Sequence, residues 1–351
     1  MIRWTKDQRL NRFGLVGVLA GGTLAALTLS AIVLIWLWLT GGNTQSLLVT
    51  TGITALFIIG FNIFAGNTGI VSFGHPAFVA IGAYAAGIVA VPVAIKAVTL
   101  PNLPAPLDTI EFGFWPALLI GGLAAALVAL MIGPIVMRLT GIAAGIMTFG
   151  LLVITNEVIR NLEQFTRGTQ TFFGVPKAAD PLIVYGIVCA AVLLSLAYKF
   201  SRWGLAARSV RDDPLAAETV GINVVRARLI AWVLSAFVMG VAGALFAYHL
   251  TAFSPRSFFL PMVIPMLVMA VLGGTASVLG GIVGVVIITA WLEFMRAVEG
   301  GSLLGLTFPS VIGISQFTLG VGLILLLWLR PRGLLGSWEL ELGRRAGPPQ
   351  P

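Results

Sequence analysis

The stretch GNTGIVSFGHPAF, residues 66–78, sets three glycines, a proline, an asparagine, a serine and a histidine between long apolar runs. In a soluble protein such a composition reads as a surface loop. Here the flanks, residues 45–65 and 73–96, are long and apolar enough for membrane helices. Irregular backbone at membrane depth is tolerated only where it is buried in protein or lines a wet cavity. The stretch is therefore expected to be an interruption with a purpose.

The surrounding chain is of membrane class: 351 residues, 58% hydrophobic, only 10% charged, with a mean hydropathy of +1.01. Soluble domains carry about 25% charged residues. Roughly ten apolar runs of spanning length can be marked, at 14–40, 45–65, 73–96, 113–137, 140–160, 181–200, 229–250, 259–273, 277–296 and 306–329. The run at 259–273 is short and is interrupted by Pro261 and Pro265. The fold class expected is an all-α polytopic membrane protein of about ten transmembrane helices, with interrupted helices near a translocation path.

Residues 1–13 carry Arg3, Lys6, Arg9 and Arg12, as a signal peptide would. The apolar run behind them is too long for that and lacks a small-residue cleavage site. Residues 14–44 are thus expected as a retained N-terminal membrane helix, 45–330 as the main transmembrane domain with a cytoplasmic loop at 201–228, and 331–351 as a cytoplasmic tail disordered at its end. With both termini cytoplasmic, 15 of the 21 Lys and Arg residues fall inside. That is the positive-inside pattern, so the net charge of +8 reports orientation in lipid and not a nucleic-acid partner. The lone Cys189 forms no internal disulfide.

No GxxxxGK(S/T) phosphate loop, GxSxG elbow or HExxH pair occurs, and His75 and His249 have no Cys or His neighbours for a metal site. The expectation is a non-enzyme without cofactor or metal, whose energy source lies on another chain.

The only long polar insertion on the inside is SRWGLAARSVRDDPLAAETVGINVVRARL, residues 201–229. Asp213 and Pro214 read as N-cap and first helical position, and Gly221 as the residue past the end. The spacing predicts a two-turn helix from 214 to 220 with Leu215, Ala216, Thr219 and Val220 on one side. Such an element is either a surface helix resting on the membrane or a docking helix, whose Ala216 and Ala217 allow close approach while Arg211, Asp212 and Glu218 fix register.

A second glycine-rich interruption, LGGTASVLGG at 272–281, stands in the other half of the chain. Paired interruptions in matching halves point to a transport site, and small-residue helix packing is the alternative; Gly280 and Gly284 fit the latter. Candidate path residues are Asn67, Ser72, Phe73, Gly74 and His75 in the first interruption and Gly273, Gly274 and Ser277 in the second. His75 is open between a structural and a gating role, and His249 is expected near an interface. Glu157 and Arg160, three apart in the fifth run, are expected to form an intramembrane ion pair. Glu293 and Arg296 repeat the spacing near a helix end, where snorkelling suffices.

Residues 207–247 resemble the cytoplasmic loop and following helix of ABC importer permeases for branched-chain amino acids. Arg211, Asp212, Ala216, Ala217, Glu218, Gly221, Ile222 and Asn223 match that family's R-(D/E)-x-x-x-A-A-E-x-x-G-I-N pattern. Residues 66–84, 156–176 and 271–287 are similar to further ordered motifs, so the resemblance covers about 45–330. Departures are Pro76, Arg167, Ala276 and Gly281. The resemblance, with residues 1–40 fitting the longer LivM type, implies a permease subunit in a bacterial or archaeal plasma membrane. It implies two ATPase subunits docking on the 211–223 segment, a second and different permease, and an extracytoplasmic solute-binding protein. Permeases for urea or short-chain amides are alternatives within the family, and a self-sufficient secondary transporter or channel is the alternative outside it.

Overall fold

The computed structural model describes residues 44–275, 277–299, 302–303, 306–307, 313–329 and 334. The expected N-terminal helix, Ala276 and the basic residues of the tail lie outside the described residues. The elements are α1 (Thr44–Thr68), α2 (His75–Ala90), α3 (Val93–Thr99), α4 (Phe114–Val136), α5 (Gly141–Asn161), α6 (Glu163–Thr166), β1 (Phe172–Phe173), α7 (Pro181–Phe200), α8 (Arg202–Asp212), α9 (Pro214–Thr219), α10 (Val224–Leu250), β2 (Ala252–Phe253), a 3₁₀ turn (Pro255–Phe258), α11 (Leu260–Gly273), α12 (Val278–Glu299), β3 (Ser302–Leu303), β4 (Leu306–Thr307) and α13 (Ile314–Leu329).

Among the described residues seven helices are long and apolar enough to cross a membrane: α1, α4, α5, α7, α10, α11 with its 3₁₀ turn, and α12. The protein is thus an all-α, multi-pass membrane protein. Two of the expected runs differ in detail. Residues 73–96 are not one helix, because Val91, extended at ψ 128° before Pro92, ends α2 and lets α3 start afresh. The run at 259–273 is less broken than expected. Pro261 occupies the first turn of α11, and the helix continues past Pro265.

Helix α10 is the centre of the bundle, packed along α1, α2 and α4. Glycines bring three of these helices into backbone contact. A Cβ added at Gly82 of α2 would stand 2.2 Å from the Gly240 carbonyl oxygen of α10, and one at Gly240 would stand 2.5 Å from that of Gly121 in α4. Such small-residue crossings replace the hydrophobic driving force that lipid cannot supply. A second crossing joins α11 to α12, where a Cβ at Gly273 would meet the Gly280 oxygen at 1.9 Å and one at Gly284 the Met269 oxygen at 2.1 Å.

Hydrogen bonds identify the two ends of the bundle. At one, Arg211 reaches Gly66, Arg228 reaches Met137 and Leu139, and Arg208 reaches Lys199. At the other, β1 pairs antiparallel with β2 in the register Phe172 to Phe253, those two rings stack at 5.2 Å, and His249 Nε2 lies 3.0 Å from Thr50 Oγ1.

Candidate functional site

The first interruption begins where α1 ends, beside α8. Gly69 takes the left-handed conformation, φ 71°, and its amide still donates to Ala65, so the helix is closed before the chain turns back. Residues 70–74 then run back into the bundle. The depth follows from His75, whose ring is linked through Ser235 to the Gly60 carbonyl. Gly60 is eight residues before the end of α1, so α2 starts ~12 Å inside the bundle at 1.5 Å per residue. This explains why α2 has only 16 residues.

Ser235 Oγ gives its single proton to Gly60 O at 2.7 Å, so at 2.8 Å it must accept from His75 Nε2–H. The imidazole is fully buried, with Phe61, Phe64, Phe78 and Trp232 rings around it at 5.2–6.1 Å. His75 therefore ties α2 to α10 and α1. Gly74 is packed against α5, where a Cβ would stand 2.4 Å from the Thr148 carbonyl oxygen. Ser72, fully buried, accepts from Gly74 N at 3.2 Å, and Phe73 N donates to Thr148 Oγ1 at 3.2 Å. Asn67 is buried, its Nδ2 donating to Ile63 O within α1. Pro76 falls in the first turn of α2, where a missing N–H is harmless.

The second interruption is held by the same helix. Asn62 Nδ2 of α1 donates to Ser277 O at 3.1 Å, and a Cβ at Gly281 would crowd that amide at 2.5 Å. Ser277, fully buried, accepts from Gly280 N through its hydroxyl. Gly274 ends α11 at φ 102° and Gly273 sits in the helix crossing described above. Helix α1 thus leads directly into one interruption and grips the other. Ser235, Thr148 and Asn62, which carry these contacts, gave no signal in the sequence beyond being polar within apolar runs.

The loop between α7 and α10 has the local chemistry its sequence predicts. Ser201 caps α8 through Gly204 N. Asp213 Oδ1 accepts from Leu215 N and Ala216 N at 3.0 and 3.1 Å. Gly221 turns with φ 84°, and Asn223 caps α10 through Arg226 N. Ala217 is buried with Val210 and Ala227. Leu215, Ala216, Glu218, Thr219 and Val220 are exposed. Arg211 is exposed, bonds Asp212 and also donates to Gly66 O of α1 at 2.9 Å. Burial, and next the charge of Arg211, lower the pKa of Arg208 from its ordinary value, with Asp212 opposing.

Glu157 and Arg160 do pair, at 3.9 Å, but with side chains 65% and 46% exposed in the last turns of α5. The pair lies on the bundle surface and does not lock its interior. Glu293 and Arg296 also pair. Arg167 sits at φ 65°, a left-handed conformation that glycine adopts more readily than a side-chain-bearing residue. Among the described residues no three His, Cys, Asp or Glu side chains come together to hold a metal ion.

A family model described as the permease component of branched-chain amino acid transport systems matches residues 43–327. The chain is 26% identical to the high-affinity branched-chain amino acid transport system permease protein LivM of Escherichia coli, over 92% of this chain and 77% of that one. It is 24% identical to LivH of Salmonella typhimurium, over 84% and 94% respectively, and 27% identical to the fructose import permease protein FrcC of Rhizobium meliloti, over 62% and 58%. No solved structure matches the chain.

Proposed function

The chain belongs to the family of branched-chain amino acid transport system permease components, and from that premise we propose how it works as the permease subunit of an ABC importer. It forms a translocation path for leucine, isoleucine and valine, delivered by an extracytoplasmic solute-binding protein. Two separate ATPase subunits drive it, and a second, different permease completes the path. The membrane is the bacterial or archaeal plasma membrane, crossed about ten times, with both termini and the 201–228 loop cytoplasmic and residues 45–330 as the working domain.

The observation that carries this reading is α9. A capped two-turn helix keeps Ala217 inward and leaves Leu215 and Val220 uncovered. Apolar side chains on a short capped helix and at its C-cap, at a basic end of the bundle, suit an apolar groove on a partner. Support for the path itself comes from the two interruptions, both held by α1. Their backbone is irregular inside the protein, which is tolerated at membrane depth only where it is buried or lines a cavity, and paired interruptions of this kind point to a transport site.

Reconstitution tests it. In vesicles the chain alone moves no leucine down a gradient, whereas the five-component system accumulates leucine with ATP. Gradient-driven flux through the chain alone would establish the channel reading instead. Uptake of urea or acetamide in preference to leucine would replace the substrate class.

A further inference from the structure

We infer that Arg211 is the transmission residue between the docking loop and the translocation path, and not a member of the docking surface. The inference rests on the docking reading above and assigns Arg211 a different task from Leu215 and Val220.

Arg211 touches the first interruption at two points. Its Nη1 donates to the Gly66 carbonyl at 2.9 Å. That oxygen belongs to the last turn of α1, where carbonyls lack intrahelical donors and a cation is favoured. Its stem runs through the space beside Gly69, so close that a Cβ there would lie 2.6 Å from Arg211 Cγ and 3.1 Å from Cδ. The hydrogen bond fixes a distance, and the packed stem fixes a direction.

On the loop side the same guanidinium is gripped by Asp212 Oδ1 at 3.2 Å from Nε and 3.1 Å from Nη2. Asp212 adjoins Asp213, whose carboxylate caps α9. The Arg211 side chain is 32% exposed against 70% for Asp212, and its Nε, Nη1 and Nη2 each donate to a group of this chain. A push on α9 therefore reaches residues 66–69 through one side chain, held at both ends. Gly69 is required twice, for its left-handed φ of 71° and for the room it leaves the arginine stem.

The test uses the complete importer in vesicles, with ATPase binding and leucine uptake per ATP hydrolysed measured separately. Arg211→Gln is expected to keep ATPase binding within about twofold while uptake per ATP falls about tenfold, the size of an ordinary coupling term. Arg211→Lys recovers part of the loss, because an ammonium can still donate to Gly66 O. Gly69→Ala approaches the same contact from the other side, leaves the loop sequence intact, and produces the same uncoupling. Combining it with Arg211→Ala removes the clash, so the two losses are less than additive. Arg211→Gln lowering ATPase binding in step with uptake would overturn the inference and make Arg211 a docking contact. Unchanged uptake per ATP in both Arg211→Gln and Gly69→Ala would overturn it as well. If the docking reading itself fails, the wild-type chain does not retain the ATPase at all, an outcome distinct from either.

Discussion

If α9 is the docking element, charging its uncovered face must release the ATPase subunit without unfolding the permease. Leu215 is 77% exposed and Val220 74%. Complete burial of such side chains contributes about 1.5–3 kcal/mol each. With three-quarters of each surface still available, about 1.5 kcal/mol per residue is at stake, or about 3 kcal/mol for both. Leu215→Asp with Val220→Asp should therefore weaken ATPase binding by about two orders of magnitude. Neither residue contributes to the buried cluster of Val210, Ala217 and Ala227, so size-exclusion behaviour and thermal stability should stay unchanged. The assay is titration of a purified ATPase subunit against the chain in lipid nanodiscs. The control is Leu182→Asp, 84% exposed but in the first turn of α7, 20 residues from α8; it should change binding less than about twofold. A dissociation constant within about threefold of wild type for the double variant, or equal weakening by Leu182→Asp, refutes the reasoning.

Ser235→Ala leaves both His75 Nε2 and Gly60 O without their buried partner, which should cost about 1–3 kcal/mol and lower the melting temperature of the nanodisc-embedded chain. Gly74→Ala drives a Cβ to 2.4 Å from the Thr148 backbone and should abolish stable expression. Gly221→Ala, with nothing within 4 Å of its Cβ, should cost only the left-handed penalty of about 1–2 kcal/mol, confined to the loop and visible as faster amide exchange there.

What the sequence revealed follows the range of the interaction. The Asp213 cap, the two-turn helix behind it and the Gly221 turn were legible because each is made by groups within four residues of one another. Run length hides the division of residues 73–96, which Pro92 makes by disfavouring a helical conformation at its neighbour Val91. Spacing placed Glu157 and Arg160 on one face, and they do pair, but spacing carries no information about depth. Ser235, Thr148 and Asn62 were invisible for a different reason. Their partners lie 175, 75 and 215 residues away, and a single hydroxyl or amide in an apolar run has no local signature.

The glycines of the first interruption explain why it can respond to the loop. Gly74 is fixed by the Thr148 backbone, which cannot retreat without moving α5. Gly69 is met instead by the aliphatic stem of Arg211, at the end of α8 beside the docking helix. Between these two ends the amides of Ile70, Phe73 and Gly74 are held by the hydroxyls of Thr68, Thr148 and Ser72 at 3.2–3.3 Å, and not by a helical or sheet ladder. Hydroxyls rotate and can change partners at little cost, whereas a ladder must break several bonds together. Residues 70–73 therefore join an end met by a side chain to an end met by backbone, and their amides lie outside any ladder. On the transmission proposal, a displacement of Arg211 is passed along this segment, beside buried Asn67 and Ser72, toward the His75 anchor of α2.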